Sequence, residues 1–188
     1  MSSQTLSRRG FLASSLAGLG ASMTVGETTS TADAGNFPTQ DAAIAEAWRL
    51  VEEYGACRVI IRECKIVSLE RGRGLGPFLR LLETRPQCLK GAIVVDSVLG
   101  VASAAVAVKG GSVKVLARTA SKSACEMLAR NGIPFEAKVV VPHILNRNLT
   151  GICPLEASTQ GLDAPDEIIA TARKVLASLR SRKMETVS

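Results

Sequence analysis

The sequence predicts an α/β domain in which a mostly parallel sheet carries helices on both faces. Short segments rich in Val and Ile alternate along the chain with segments whose apolar residues recur at helical spacing. Of the 188 residues, 46% are hydrophobic and 21% charged, which is typical of a folded globular domain. A chain of this size buries roughly 70% of its unfolded surface, so it can fold without a metal or disulfide bonds.

The first predicted elements are a helix, a hairpin and a second helix. Apolar residues at helical spacing predict a helix over residues 41–53. Residues 57–66 are rich in Val and Ile but interrupted by charges, which predicts a hairpin that turns near Glu63. Three glycines precede Pro77, and the apolar residues after this proline predict a short helix that begins there.

Strands and helices then alternate. The apolar run at residues 92–95 predicts a central strand that ends at Asp96, and the small residues that follow predict a closely packed helix over 97–108. Further strands are predicted at 113–117 and 138–141, and further helices at 122–130 and 166–179. We expect Asp96 and Ser121 to cap the helices that begin after them with their side-chain oxygens. Helical connections between successive strands are typical of a parallel sheet.

Residues 1–34 contain three parts of an export signal in the correct order. The pair Arg8 and Arg9, with an apolar pair after it, closely resembles the twin-arginine export motif. The modestly hydrophobic stretch at 11–25 is too short and too polar to span a bilayer stably. Small residues at alternating positions then predict cleavage after Ala34. We therefore predict a twin-arginine signal peptide and a periplasmic or secreted protein.

The rest of the chain, residues 35–188, is predicted to be one positively charged domain without a stable membrane anchor. The whole chain has 23 Lys and Arg against 17 Asp and Glu, a net charge of +6, and the charges of the signal cancel. Such a surface attracts anions. Aromatic residues make up only 3%, too few for the stacking platforms that bind single-stranded nucleic acid. The expected partners are a small anionic ligand and the twin-arginine export machinery, and not nucleic acid.

Several short motifs, in order, resemble an uncharacterised bacterial family. The motifs are Arg73–Leu79, Asp96–Gly100, Ser121–Ala124, Val141–Arg147 and Gly151–Glu156. They are similar to those of domain of unknown function 1893, and the resemblance covers roughly residues 44–158. It implies a three-layer αβα sandwich with a mixed, mostly parallel sheet and a fold similar to cytidine deaminase.

The zinc-binding signature of the deaminases is missing from this sequence. Such enzymes need a His or Cys followed two residues later by a catalytic Glu, together with a Pro-Cys-x-x-Cys pair. The single histidine, His143, is followed by Ile144 and Leu145, and Cys153 precedes its proline instead of following it. We therefore expect neither a metal nor another cofactor.

Cys153 and Glu156 are the candidate catalytic residues. A loop at the end of a strand would present the Cys153 thiol, with Glu156 one turn away and Arg147 as a possible cation that favours the thiolate. The open alternative is that Cys153 is a small apolar core residue. Five cysteines leave at least one unpaired, and a hairpin could bring Cys57 opposite Cys64.

The candidate ligand-binding residues are Asp96, Gly100, Ser121, Asn146 and Arg147. Arg147 can bind a carboxylate or phosphate through two parallel hydrogen bonds, and Asn146 adds further donors. The alternatives are that the loop side chains only satisfy turn carbonyls and that Asp96 and Ser121 only cap helices. We interpret His143 as a core histidine.

Three functions stay open at this point. The first is a binding module for a nucleotide-like or anionic metabolite on a deaminase-like scaffold that lacks the zinc site. The second is an enzyme that uses Cys153 as nucleophile or ligand contact. The third is a structural or interaction protein that forms a homo-oligomer through the small-residue helix at 97–108.

Overall fold

The structure is a computed structural model that describes residues 35–72 and 74–185. The predicted signal peptide lies outside the described residues. In chain order the elements are α1 (Gln40–Glu52), β1 (Arg58–Arg62), β2 (Lys65–Glu70), α2 (Gly76–Thr84), a 3-10 turn (Pro86–Cys88), β3 (Ile93–Leu99), α3 (Val101–Lys109), β4 (Lys114–Ser121), α4 (Lys122–Arg130), β5 (Phe135–Val141), α5 (Pro154–Ser158) and α6 (Pro165–Glu185). None of the helices in the described part of the chain combines the length and the apolar composition that a membrane span needs.

The five strands form one mixed sheet in the order β2-β1-β3-β4-β5. β1 is antiparallel to both of its neighbours, whereas β3, β4 and β5 are parallel. The predicted hairpin is confirmed, because Glu63 and Cys64 take positive φ angles of 50° and 60° and reverse the chain between β1 and β2. The α/β class and the mixed sheet are therefore confirmed, but only two of the four strand pairs are parallel, which is fewer than predicted.

Two apolar clusters flank the sheet. Val59 and Val95 pack with α1 in one cluster, whereas Ile60 and Val94 pack with α2, α3, α4 and α6 in the other. Because successive strand residues point to opposite faces, the two clusters lie on opposite sides of the sheet. The core thus consists of β1, β3 and β4 with apolar side chains buried on both faces.

Two predicted boundaries are wrong around Asp96. The strand β3 continues past Asp96 to Leu99, and α3 begins only at Val101. The Ser97 N–H donates to the carbonyl of Cys57 at 2.9 Å, and Val98 and Leu99 continue the parallel ladder with β4. Backbone pairing with both neighbouring strands therefore holds these residues in the sheet.

The small-residue helix α3 is buried inside its own chain. Every residue from 101 to 107 is buried, between the sheet and the helices α4 and α6. Alanines allow this close approach because they carry no bulk beyond Cβ. Residues 101–107 therefore offer little surface to a second copy, and their burial gives no support to a homo-oligomer formed through this helix.

Candidate functional site

The carboxyl ends of the parallel strands β3, β4 and β5 meet at one edge of the sheet. Three predicted site residues, Gly100, Ser121 and Glu156, are brought together there. Asp96 lies deeper, within the sheet, and Asn146 and Arg147 lie in an outer turn. In open α/β sheets, ligands bind at this edge.

Glu156 joins the first turns of two helices. Its side chain is buried, with only 3% of its surface exposed, and Oε2 accepts the backbone N–H of Val101 at 3.2 Å. Oε1 accepts the hydroxyl of Ser123 at 2.7 Å. Ser121 Oγ lies 3.0 Å from Ser123 Oγ and accepts the N–H of Ala124 at 3.2 Å, which confirms its predicted capping role. One carboxylate thus satisfies donors at the N-termini of both α3 and α4, where negative charge is favoured.

Gly100 makes the approach of this carboxylate possible. A Cβ at Gly100 would lie 2.8 Å from Glu156 Oε2, closer than ordinary van der Waals contact. Gly100 is also the residue before α3, and it has no side chain that could cap the helix. Glu156 therefore supplies the cap from a distant part of the sequence.

Asp96 was expected to cap α3, but it does not. Its Oδ2 accepts two N–H groups of Arg58, from Nε at 2.9 Å and from Nη2 at 2.7 Å. Its Oδ1 accepts the N–H of Val98 at 3.0 Å. Asp96 thus links β3 to Arg58 of β1, and because it is fully buried its carboxylate is out of reach of a ligand at the surface.

Arg58 is the centre of a buried ion cluster. Besides Asp96, it binds Glu70 at 2.8 Å and the hydroxyl of Ser103 at 3.2 Å, and its guanidinium lies 4.0 Å from the centre of the Phe78 ring. Stacking on the ring and pairing with carboxylates compensate the charge of a side chain that is 1% exposed. This cluster was not predicted from the sequence, although an arginine directly before the run Val-Ile-Ile was a usable signal.

Burial changes the protonation of the groups around Arg58. It raises the pKa of Asp96 and of Glu70, and the nearby Arg58 cation opposes this effect without cancelling it. Burial also raises the pKa of the neighbouring Cys57 thiol. Cys57 is therefore a poor nucleophile at neutral pH.

An open groove of about 460 Å³ lies at the same edge of the sheet. It is lined by Val98, Thr119, Val141, Pro142, His143, Ile144, Leu145, Leu149 and Ile152. The ends of β3, β4 and β5 supply its floor, and the loop after β5 supplies its wall. Among the described residues that line the groove, only Thr119 and His143 have polar side chains. His143 is exposed and is not the core histidine that the sequence suggested.

The turn beside the groove is shaped by Asn146. Its Oδ1 accepts the N–H of Thr150 at 3.0 Å, and its Nδ2 donates to Thr150 Oγ1 at 3.1 Å. Its backbone N–H donates to the carbonyl of Gly151 at 2.8 Å. Asn146 thus satisfies the turn, which was the alternative interpretation, while Arg147 next to it is exposed.

Cys153 is half-buried and directly precedes α5. Its backbone N–H donates to the carbonyl of Ile144 at 2.8 Å. Glu156 is one turn away, as expected, but its carboxylate is already engaged by Val101 and Ser123. Glu156 is therefore close to Cys153 in the chain, but its carboxylate is not available to the thiol.

The five cysteines are all free thiols in the structure. Cys57 precedes β1 and Cys64 lies in the turn after it, so the two are at opposite ends of that strand and do not face each other. Within the described part of the chain, no group of three or more His, Cys, Asp or Glu side chains is placed to hold a metal ion.

Comparison with known proteins places the chain in a family. The family model described as TM1506, a domain of unknown function (DUF1893), matches residues 46–176. The crystal structure of a DUF1893 family protein (TM1506) from Thermotoga maritima superposes with a TM-score of 0.65 at 22% identity, covering 80% of this chain and 99% of that chain. No curated protein matches significantly. The similar structure shows a shared fold, and because the family model spans well over half of the sequence, the chain belongs to the DUF1893 family.

Proposed function

We propose that the chain is a binding module that holds a small ligand in the groove at the carboxyl edge of β3, β4 and β5. The groove itself is the observation that carries the proposal. Ligand sites are concave and mostly apolar, with a few polar groups that orient the ligand. This groove has apolar walls, and Thr119 and His143 supply the polar groups.

The chemistry of the groove favours a ligand with a flat apolar ring and an anionic substituent. The apolar side chains suit a ring, while the Thr119 hydroxyl and the His143 imidazole can hydrogen-bond to its edge. Arg147 lies in the turn between the lining residues Leu145 and Leu149, and it can bind a carboxylate or phosphate there. The net charge of +6 attracts the same ligands. A nucleotide-like or anionic aromatic metabolite fits this description.

The network around Glu156 belongs to the scaffold in this proposal. Its carboxylate already occupies the anion-attracting N-termini of α3 and α4, so an anionic ligand would be repelled from them. Gly100 and Ser121 then shape the site without contacting the ligand. An enzyme that uses Cys153 with Glu156 as base gains no support from this arrangement.

The scaffold is, in this proposal, a three-layer αβα sandwich similar to cytidine deaminase that does not use zinc. Apolar clusters on both faces of the mixed sheet support it.

The twin-arginine signal in residues 1–34 would deliver the folded chain to the periplasm or the medium. Cell fractionation of a chain carrying Arg8→Lys and Arg9→Lys tests that route, since export should be lost and the protein should stay in the cytoplasm.

Binding is tested by titrating the full chain with nucleobases, nucleotides and anionic aromatic acids by calorimetry. Val98 lines the groove and is 41% exposed, so Val98→Trp should fill the groove and weaken any saturable binding at least tenfold. Val113, which is 54% exposed outside the groove, is the matched control, and Val113→Trp should bind as the unmodified chain does. Absence of saturable binding across the panel, or unchanged binding by Val98→Trp, would overturn the proposal.

A further inference from the structure

The outer edge of β5 is unpaired. β5 is the last strand of the sheet, and within residues 35–72 and 74–185 no strand or isolated bridge pairs with its outer side. Val139 and Val140 are 51% and 56% exposed, and as neighbours in a strand they point to opposite faces. An exposed strand edge with apolar residues on both faces is a template for pairing with another strand.

The opposite edge of the sheet is partly covered by the chain itself. Asn36 forms an antiparallel bridge with Lys65 of β2, and the Phe37 N–H donates to the carbonyl of Cys64 at 3.0 Å. Most residues of β2 are at least half-buried, whereas four of the seven residues of β5 are exposed. Strand addition is therefore favoured at β5.

The charges on β5 define how a second copy would pair with it. Glu136 and Lys138 are two residues apart, so they lie on the same face, which is the face that α1 covers because Lys138 binds Glu52 of α1. In an antiparallel pair centred on Ala137, Glu136 of each copy lies opposite Lys138 of the other. Directly opposite residues in such a pair lie about 4.5–5.5 Å apart at Cβ, and opposite charges stabilise it.

The neighbouring registers are less favourable. An antiparallel pair centred on Lys138 would place the Lys138 side chains of the two copies opposite each other. A pair centred on Glu136 would place the two Glu136 side chains opposite each other. Like charges in such positions destabilise the pair. The register centred on Ala137 also sets Phe135 of each copy against Val139 of the other, so an exposed apolar residue becomes covered. Charge and burial thus select the same register.

The intrachain partners of the two charged residues do not prevent this pairing. Glu136 binds Lys114 at 2.7 Å but its side chain remains 71% exposed, and the Lys138 side chain is 51% exposed. An ammonium group has three N–H donors and a carboxylate has about four acceptor positions, so each can take a second partner.

We propose that two copies of this chain associate through their β5 strands in the antiparallel register centred on Ala137, which joins two sheets into one. The paired residues Phe135–Val139 do not line the ligand groove. Its partner is a second copy because the strand is complementary to itself in charge.

The test is sedimentation equilibrium of the full chain over a series of protein concentrations. The unmodified chain should form a dimer. Glu136→Lys places lysines opposite each other at positions 136 and 138, and Lys138→Glu places glutamates there. The dimer of each single variant should therefore dissociate at least tenfold more readily. The chain with both changes has opposite charges at these positions again and should recover the dimer. As a matched control, Lys114→Gln removes the intrachain partner of Glu136 and should leave the dimer intact.

A mixture of the two single variants separates pairing from damage to the fold. One variant then presents two lysines and the other two glutamates at the paired positions, so the mixture should form heterodimers although each variant alone is monomeric. A monomeric unmodified chain would overturn the proposal, as would a dimer that both single variants keep or a mixture that stays monomeric.

Discussion

The carboxylate of Glu156 and the backbone N–H of Val101 meet at 3.2 Å although 55 residues separate them in the chain. This contact closes α5 over the first turn of α3. A buried acid from a later part of the sequence thus caps a helix whose preceding residue, Gly100, has no side chain. Negative charge supplied by the protein itself fills a position at which helix N-termini attract anions.

Removing this carboxylate should destabilise the fold. Glu156→Ala leaves the Val101 N–H and the Ser123 hydroxyl without their buried partner, and each such loss costs about 1–3 kcal/mol. Glu156→Gln keeps the size and one acceptor oxygen, so it should cost less than half as much. Urea denaturation followed by circular dichroism measures both variants. If Glu156→Ala unfolds at the same urea concentration as the unmodified chain, the capping role is wrong.

The close packing at Gly100 predicts a large effect of one methyl group. Gly100→Ala would place Cβ 2.8 Å from Glu156 Oε2 and should cost about 1–3 kcal/mol by overpacking. Gly151 lies near the same edge of the sheet. A Cβ at Gly151 would have Asn146 Nδ2 as its nearest neighbour at 3.8 Å, which is an ordinary contact. Gly151→Ala is therefore the control, and its melting temperature should stay close to that of the unmodified chain. Equal melting temperatures for the two variants would contradict the packing at Gly100.

The buried cluster around Arg58 predicts an unusual pH dependence. Burial raises the pKa of Glu70 above its ordinary value of 4.5, so the folded chain keeps this proton where the unfolded chain has lost it. The contribution of Glu70 to stability is therefore greatest at acidic pH and decreases as the pH rises above 4.5 through the raised pKa.

Glu70→Gln isolates this contribution because it removes the titrating group and leaves Arg58 paired with Asp96. The unfolding free energy of the unmodified chain minus that of Glu70→Gln should fall as the pH rises above 4.5. Urea titrations at several pH values measure this difference. A difference that rises with pH would mean that Arg58 lowers the pKa of Glu70 and that our assignment is reversed.

Local sequence patterns predicted most elements of the fold. The helix α4 begins and ends where expected, since Ser121 provides a side-chain cap and Gly132 beyond its end takes a positive φ of 67°. The boundaries failed at residues 97–99, where apolar and small residues suit either a strand or a helix. Pairing with β1 and β4 decided between them, and such long-range pairing leaves no signal in a local pattern.

The candidate site was predicted less completely. Gly100, Ser121 and Glu156 do meet, but the interaction between Glu156 and Val101 joins residues far apart in sequence. The groove depends on how the loop after β5 folds back over Val98 and Thr119, which alternation and spacing do not encode. Asp96 was singled out for its place after an apolar run, and only its pairing with Arg58 shows that its role is in the core.

Methyl NMR can show whether the groove at the carboxyl edge of β3, β4 and β5 binds a ligand. The full chain, labelled at its Val, Leu and Ile methyl groups, is titrated with the tightest binder from the ligand panel. We expect saturable shifts at Val98, Leu145 and Ile152 and an unmoved signal at Val113. Shifts confined to methyl groups outside the groove, or none at any site, would mean that the groove is not the binding site.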